Sequence, residues 1–326
     1  MRLSRIGVVV LLSITVLVGA NCQYYNKVMA RKDLVDGSNA YKGRKFPEAE
    51  KLFRAAAARD PKGETTEGKV AQLFLARTLH SMYIGDRQNQ ARALEAIAEY
   101  QKALANDPKD QSSYKAIASL YENLQKTDEW LAWVTKRSQD TSIPPEQRAE
   151  AFTSLASKKN SCANDISDTE ATKKTVTKDG KQAFQFVKPA KPEDFETLKT
   201  CTTEGTALID QAIALEPDVV KNAKGFDIKG ATDKQLQENM DVLKVFESAR
   251  SYKASLLFQS MRVAEMEGRT PDRDSIKTQA DAARAGFLEI SDIVKKIQTE
   301  IDARVAAKEE ASKPTKANSN AEANKK

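Results

Sequence analysis

Three times along this chain a small residue, a large apolar one, a second small one and a proline stand at steps of 4, 3 and 5 residues. They are Ala49, Phe53, Ala56 and Pro61; Ala96, Tyr100, Ala103 and Pro108; and Gly205, Ile209, Ala212 and Pro217. Steps of 4 and 3 bring side chains onto one stripe of an α-helix, where the small ends let a neighbouring helix approach closely. The proline stops the helix, since it lacks an N–H and its ring clashes with the preceding turn. A chain built on this unit is helical, and its composition agrees: 13 Gly and 10 Pro in 326 residues are too few turn formers for a sandwich or barrel of many short strands. With 40% hydrophobic residues the chain can bury a real core, which excludes collagen-like and wholly disordered chains.

A facing helix carries its own pattern, Tyr114, Ile117, Ala118 and Tyr121, repeated in part at Phe152, Leu155 and Ala156. Together the two patterns resemble the tetratricopeptide repeat, whose first helix reads W-x2-L-G-x2-Y and whose second reads small, aromatic, small, then Pro. Gly37, standing 12 residues before Ala49, fits the first helix of the opening repeat. Repeat one then covers Lys32 to Pro61, repeat two Gly68 to Pro108, and repeat three Gln111 to Ser142, where Trp130 and Trp133 replace the usual residues of the second helix. The resemblance implies an all-α, right-handed helical solenoid with a groove lined by the first helices. Two departures are expected. One is an insertion inside repeat four, in which Thr175–Thr177 and Gln182–Val187 flank Asp179-Gly180 and read as a small β-hairpin. The other is a pair of long C-terminal helices, Gln235–Glu267 and one begun by Thr270-Pro271. The last of these carries apolar residues at alternating steps of 4 and 3 from Ile276 to Ile301, which fits a helix closing the stack or a coiled-coil arm to a second chain.

At the N-terminus, Arg2 and Arg5 precede an apolar run from Ile6 to Ala20, and Val18-Gly19-Ala20 supplies small residues for cleavage. This is the form of an export signal, and the run is short for a spanning helix. Cys22 then falls where bacterial lipoproteins carry their lipid, although Asn21 and Gly19 depart from the usual residues before that cysteine. Lipidation at Cys22, plain secretion and an uncleaved anchor stay open, and all three export the chain. The expected organisation is a signal peptide over 1–20, a linker over 21–31, repeats one to three with the first helix of repeat four over 32–160, and the insertion over 161–200. The second helix of repeat four and the C-terminal helices follow over 201–306, then a disordered tail over 307–326.

In the tight turn of an uninterrupted repeat, Cys162 and Cys201 would lie near each other at the two ends of the insertion. Disulfides persist in exported chains, so a Cys162–Cys201 bridge is expected, with two buried free thiols as the alternative. Trp130 and Trp133, three residues apart, read as core side chains rather than an exposed platform, and His80 as a packed helix residue. A single histidine in the chain withdraws the common His-dependent metal sites and nucleophile triads. No cofactor, metal site or phosphate loop is expected. The net charge of +6 is dispersed, with Arg2 and Arg5 at one end and five Lys against three Glu over 308–326, so nucleic acid is not the expected partner.

The resemblance implies a non-enzymatic scaffold that binds proteins or peptides in its groove, here an exported one in the periplasm or at the outer membrane. Helical phase nominates Arg31, Tyr41 and Lys42 on the first helix of repeat one, and Lys115, Ser119 and Glu122 on that of repeat three. The Lys and Asn pair with which one subgroup grips a C-terminal carboxylate is absent, its places being taken by Leu34 with Ser38 and Lys115 with Ser119. A glycan- or small-ligand-binding lipoprotein on the same scaffold is the alternative, and an envelope hydrolase working through carboxylates is a more distant one.

Overall fold

The computed structural model describes residues 5–178 and 180–312, with side chains over 24–177 and 180–312. The chain forms two compact units that meet in sequence between Trp133 and Val134. That boundary lies inside one helix rather than at the edge of the insertion, so the expected 32–160 block is divided between the two.

The first unit consists of α1 (Arg5–Lys42), α2 (Phe46–Ala58), α3 (Thr66–Gly85), α4 (Gln90–Asn106), α5 (Gln111–Asn123) and the start of α6 (Thr127–Gln139). The stretch 21–31, expected as a linker, is part of α1. Local chemistry sets most boundaries. Arg44 takes a left-handed turn (φ 58°) between α1 and α2, Thr65 caps α3 by accepting from the Gly68 N–H, and Asn89 and Asp110 cap α4 and α5. The recurring stripes are the core: Ala49, Phe53 and Ala56 on α2 and Ala96, Tyr100 and Ala103 on α4 are all buried. Their small members earn their place by distance. A Cβ on Gly37 of α1 would stand 2.8 Å from the Phe53 ring.

Hydrogen-bond partners reveal how the helices run. Ion pairs join Glu50 to Arg92 and Arg54 to Glu95 across α2 and α4, at sequence separations of 42 and 41. A nearly constant separation means that the two helices are parallel, one displaced along the chain from the other. Between α1 and α2 the opposite holds: Asp33 meets Arg59 while Gly37 meets Phe53, so one number falls as the other rises. The unit is a stack of antiparallel helix pairs whose corresponding members are parallel, as the resemblance implies.

The second unit contains the rest of α6, α7 (Pro145–Ser167), β1 (Lys173–Lys178), β2 (Lys181–Phe186), α8 (Pro192–Ile213), the single turn α9 (Asp218–Lys221), a 3-10 turn at Ala223–Gly225, α10 (Asp233–Met266) and α11 (Thr270–Ser312). Here α7 and α8 are antiparallel, and a Cβ on Gly205 of α8 would meet Lys159 Cβ at 3.0 Å and Leu256 Cδ2 of α10 at 2.7 Å. Three contacts tie α7 to α10 at one separation of 95: Asn160 with Ser255, Asn164 with Gln259 and Ser167 with Arg262. The helix after the pair is therefore parallel to the pair's first member, the rule of the first unit kept across a long insertion. The Ile290, Val294 and Ile297 stripe of α11 is buried in this core, so the last helix closes the unit.

Cys162 and Cys201 form the disulfide, with Cα atoms 6.2 Å apart. They do not sit at helix ends. Both helices run on past them, because Ala163 and Ser167 stay buried on α7, while Pro192, Glu193 and Asp194 begin α8 early and Phe195 and Leu198 are buried on it. The segment outside the helices is thereby 168–191 rather than 161–200. At the other end α11 continues beyond 306 to Ser312. Cys22 and the 1–20 signal fall outside the described side chains, and the rest of the tail, 313–326, outside the described residues.

Candidate functional site

In a stack of helix pairs the first members, α1, α3 and α5 in the first unit, form a row. Two sets of contacts join them. Tyr41 of α1 meets α3 through an edge-on contact with Phe74 at 6.0 Å and a hydroxyl–hydroxyl hydrogen bond with Ser81 at 3.2 Å. Arg77 of α3 lies over the Phe74 ring and donates from Nη2 to Ser112 Oγ of α5 at 3.3 Å. Phe74, Arg77 and Ser81 stand 3 and 4 residues apart, so one stripe of α3 presents all three.

Tyr41 is thus half-buried in the joint between α1 and α3, while Arg31 and Lys42 are exposed on α1. On α5, Lys115, Ser119 and Glu122 are exposed at steps of 4 and 3, which puts them on one face. Ser119 Oγ accepts a long hydrogen bond from Asn123 Nδ2 at 3.4 Å. The α1 and α5 residues are separated in the row by α3, whose Phe74, Arg77 and Ser81 had not been nominated from the sequence. The same stripe rule that marks α2 and α4 would have found them, had repeat two's first helix been phased from Tyr41.

Burial lowers the pKa of His80, and the Arg87 charge adds to it, so the imidazole is neutral near pH 7. Its Nδ1 lies 3.4 Å from the Tyr100 hydroxyl, and burial raises that phenol far above its ordinary range. Burial pushes Asp110 up, but hydrogen bonds from Ser113 and Ser112 outweigh it and hold the carboxyl below its ordinary value. A neutral imidazole thus packs edge-on against a neutral phenol. Among the described residues no group of three His, Cys, Asp or Glu is placed to hold a metal ion. Trp130 is buried, and Trp133 stacks on Tyr114 at 5.9 Å and donates from Nε1 to the Tyr114 carbonyl at 3.3 Å. Both tryptophans are structural. What the row offers is a surface of exposed charged and hydroxyl side chains over a closed apolar core.

No protein-family model matches the chain, and no curated protein matches it. Among solved structures it is similar to a tetratricopeptide repeat protein from Parabacteroides merdae ATCC 43184, at 12% identity and a TM-score of 0.31, over 83% of this chain and 99% of that one.

Proposed function

We propose that this chain is a non-enzymatic scaffold of the bacterial cell envelope that holds protein partners against the row of α1, α3 and α5. The observation that carries the reading is that row. Parallel helices locked to one another by Tyr41 and Arg77 present Arg31, Lys42, Lys115, Ser119 and Glu122 to solvent, a preorganised surface that loses little conformational freedom on binding. Export is supported by the basic-then-apolar N-terminus and by the Cys162–Cys201 bridge, which suits an oxidising compartment. Among the described residues no helix is long and apolar enough to cross a membrane. A lipid on Cys22 would hold such a chain at a membrane surface. The placement of both tryptophans in packed positions weighs against a glycan platform.

The test is photocrosslinking in intact cells from a reactive residue placed in turn at Arg31, Lys42, Lys115 and Glu122, with Lys277 on α11 as the control position. One envelope protein linked from the α1 and α5 positions and not from Lys277 is the expected result. Links to no protein, or equal links from all five positions, would overturn the reading.

A further inference from the structure

The segment between α7 and α8 is out of character with the rest of the chain. From Lys173 to Lys191 it holds six lysines, no arginine and a single acid, Asp179. Elsewhere both lysine and arginine are balanced by carboxylates: Lys159 by Glu204, Lys224 by Glu289, Arg54 and Arg92 by Glu50, Arg250 by Glu216. The planar arginine fork suits a fixed carboxylate, whereas lysine is a point charge on a flexible stem. An all-lysine arm fits a diffuse, laterally mobile anionic surface better than one acidic side chain.

The arm is held firmly at its base. Phe186 is buried under the Arg262 guanidinium, 4.5 Å from the ring centre, and its N–H donates to Glu265 Oε1 at 3.2 Å. Lys173 pairs with Asp168 at 2.8 Å, and Arg262 Nη2 lies 3.4 Å from the same carboxylate. The disulfide closes the two helices from which the arm emerges. Beyond this base the hairpin register places Lys174 opposite Gln185, Val176 opposite Ala183 and Lys178 opposite Lys181. Alternation along a strand puts these six positions on one face of the hairpin, and Lys174 and Lys181 are exposed there. On the opposite face Phe184 is 60% exposed, with the Lys173 ammonium 4.4 Å from its ring centre.

We infer that the β1–β2 hairpin is a membrane-docking arm whose Lys174 and Lys181 take an anionic phospholipid surface, with Phe184 entering the headgroup region at its edge. Lysines near an anionic leaflet attract it additively, and exposed aromatic rings favour the interface. The inference is independent of the scaffold proposal, since vesicle binding requires no protein partner and the crosslinking positions lie on other elements.

The experiment is co-sedimentation of the full chain with phosphatidylcholine vesicles, with and without about 30% phosphatidylglycerol, at low and at physiological salt. The N-terminal run binds both lipid mixtures and Arg2 and Arg5 favour the anionic one, so the reading is the part of the phosphatidylglycerol increment that a hairpin variant loses. At low salt that increment is expected to be tenfold or more, to shrink at physiological salt, and to fall several-fold in a K174E/K181E variant. A control that reverses Lys277, Lys295 and Lys296 on α11 is expected to keep it. In a Phe184→Trp variant, emission is expected to move to the blue on phosphatidylglycerol vesicles only. Equal binding to both vesicle types, or equal loss in the hairpin and α11 variants, would overturn the inference. So would hairpin-dependent binding to soluble polyglutamate without vesicle binding, which would assign the arm to an acidic protein. Circular dichroism of each variant checks that the hairpin changes leave the helices intact.

Discussion

The two units obey one packing rule and secure it by different means. In the first, helices of 13 to 20 residues follow α1 and are joined by short capped turns. What fixes them is close approach, through Gly37 under Phe53 and the alanines of each stripe. In the second, α7, α8, α10 and α11 are 23, 22, 34 and 43 residues long, and the chain leaves the stack for a hairpin before returning. There the parallel pairing of α7 with α10 is specified by a part-buried polar ladder, and the α7–α8 pair by a covalent bond. Apolar stripes alone define a face but tolerate a slip by one turn, whereas each buried amide or hydroxyl is costly unless its one partner is met. Longer helices with more registers to choose from are the ones that carry the ladder.

This contrast is open to breaking, and the largest effect belongs to the disulfide. Replacing Cys162 and Cys201 by serine releases a closed loop of 39 residues, worth about 4 kcal/mol by the chain-entropy account. Hydrogen exchange followed with and without reductant should show faster opening across α7, α8 and α10 and unchanged protection in α2 to α4. Next comes the ladder. A Gln259→Leu change removes a partner of Asn164 and one of the two partners of Ser167, and should cost about 2 kcal/mol in chemical denaturation of the second unit. If leucine there proves neutral, the ladder does not specify the pairing.

A smaller effect separates packing from propensity in the first unit. Gly37→Ala gains about 1 kcal/mol of helix propensity, yet its methyl meets the fully buried Phe53 ring at 2.8 Å, an overpacking of about 1–3 kcal/mol. A net loss near 1 kcal/mol is expected, and a gain would show that the ring can yield. The smallest effect is that of the ion-pair network across α2 and α4. Burial pushes the Glu50 pKa up, but hydrogen bonds from Arg54 and Arg92 outweigh it and hold it below 4.5. Its contribution is therefore complete above that pH and lost as the pH falls through the lower folded value. Being partly solvated the network is worth less than about 1 kcal/mol, so Glu50→Gln should flatten only the acid limb of the first unit's stability against pH.

The spacing of small, large and small residues located α2, α4 and α8, and with them the direction of the stack, because those side chains are buried for a reason visible in each helix alone. The hairpin and the disulfide were legible for a related reason: an Asp-Gly turn and two cysteines bracketing an interruption are local signals. The ladder was not. Asn160, Asn164 and Ser167 look like a solvated face until Ser255, Gln259 and Arg262, 95 residues away, are set against them. The lengths of α7 and α8 escaped for the same cause, since the partners that keep Ser167 and Phe195 buried lie in the fold and not in the neighbouring sequence. On the candidate face, Lys115, Ser119 and Glu122 followed from helical phase, whereas Phe74, Arg77 and Ser81 needed the contact with Tyr41 to declare their side.

The bridge also governs how the chain would carry a load. If one end is tethered and the other pulled, tension crosses from Cys162 to Cys201 through sulfur, and the residues between them bear none of it. Full extension of the chain falls short by roughly 130 Å, at about 3.5 Å for each bypassed residue. The basic arm lies wholly within that bypassed stretch and so stays outside the load path while the sulfur–sulfur bond is whole.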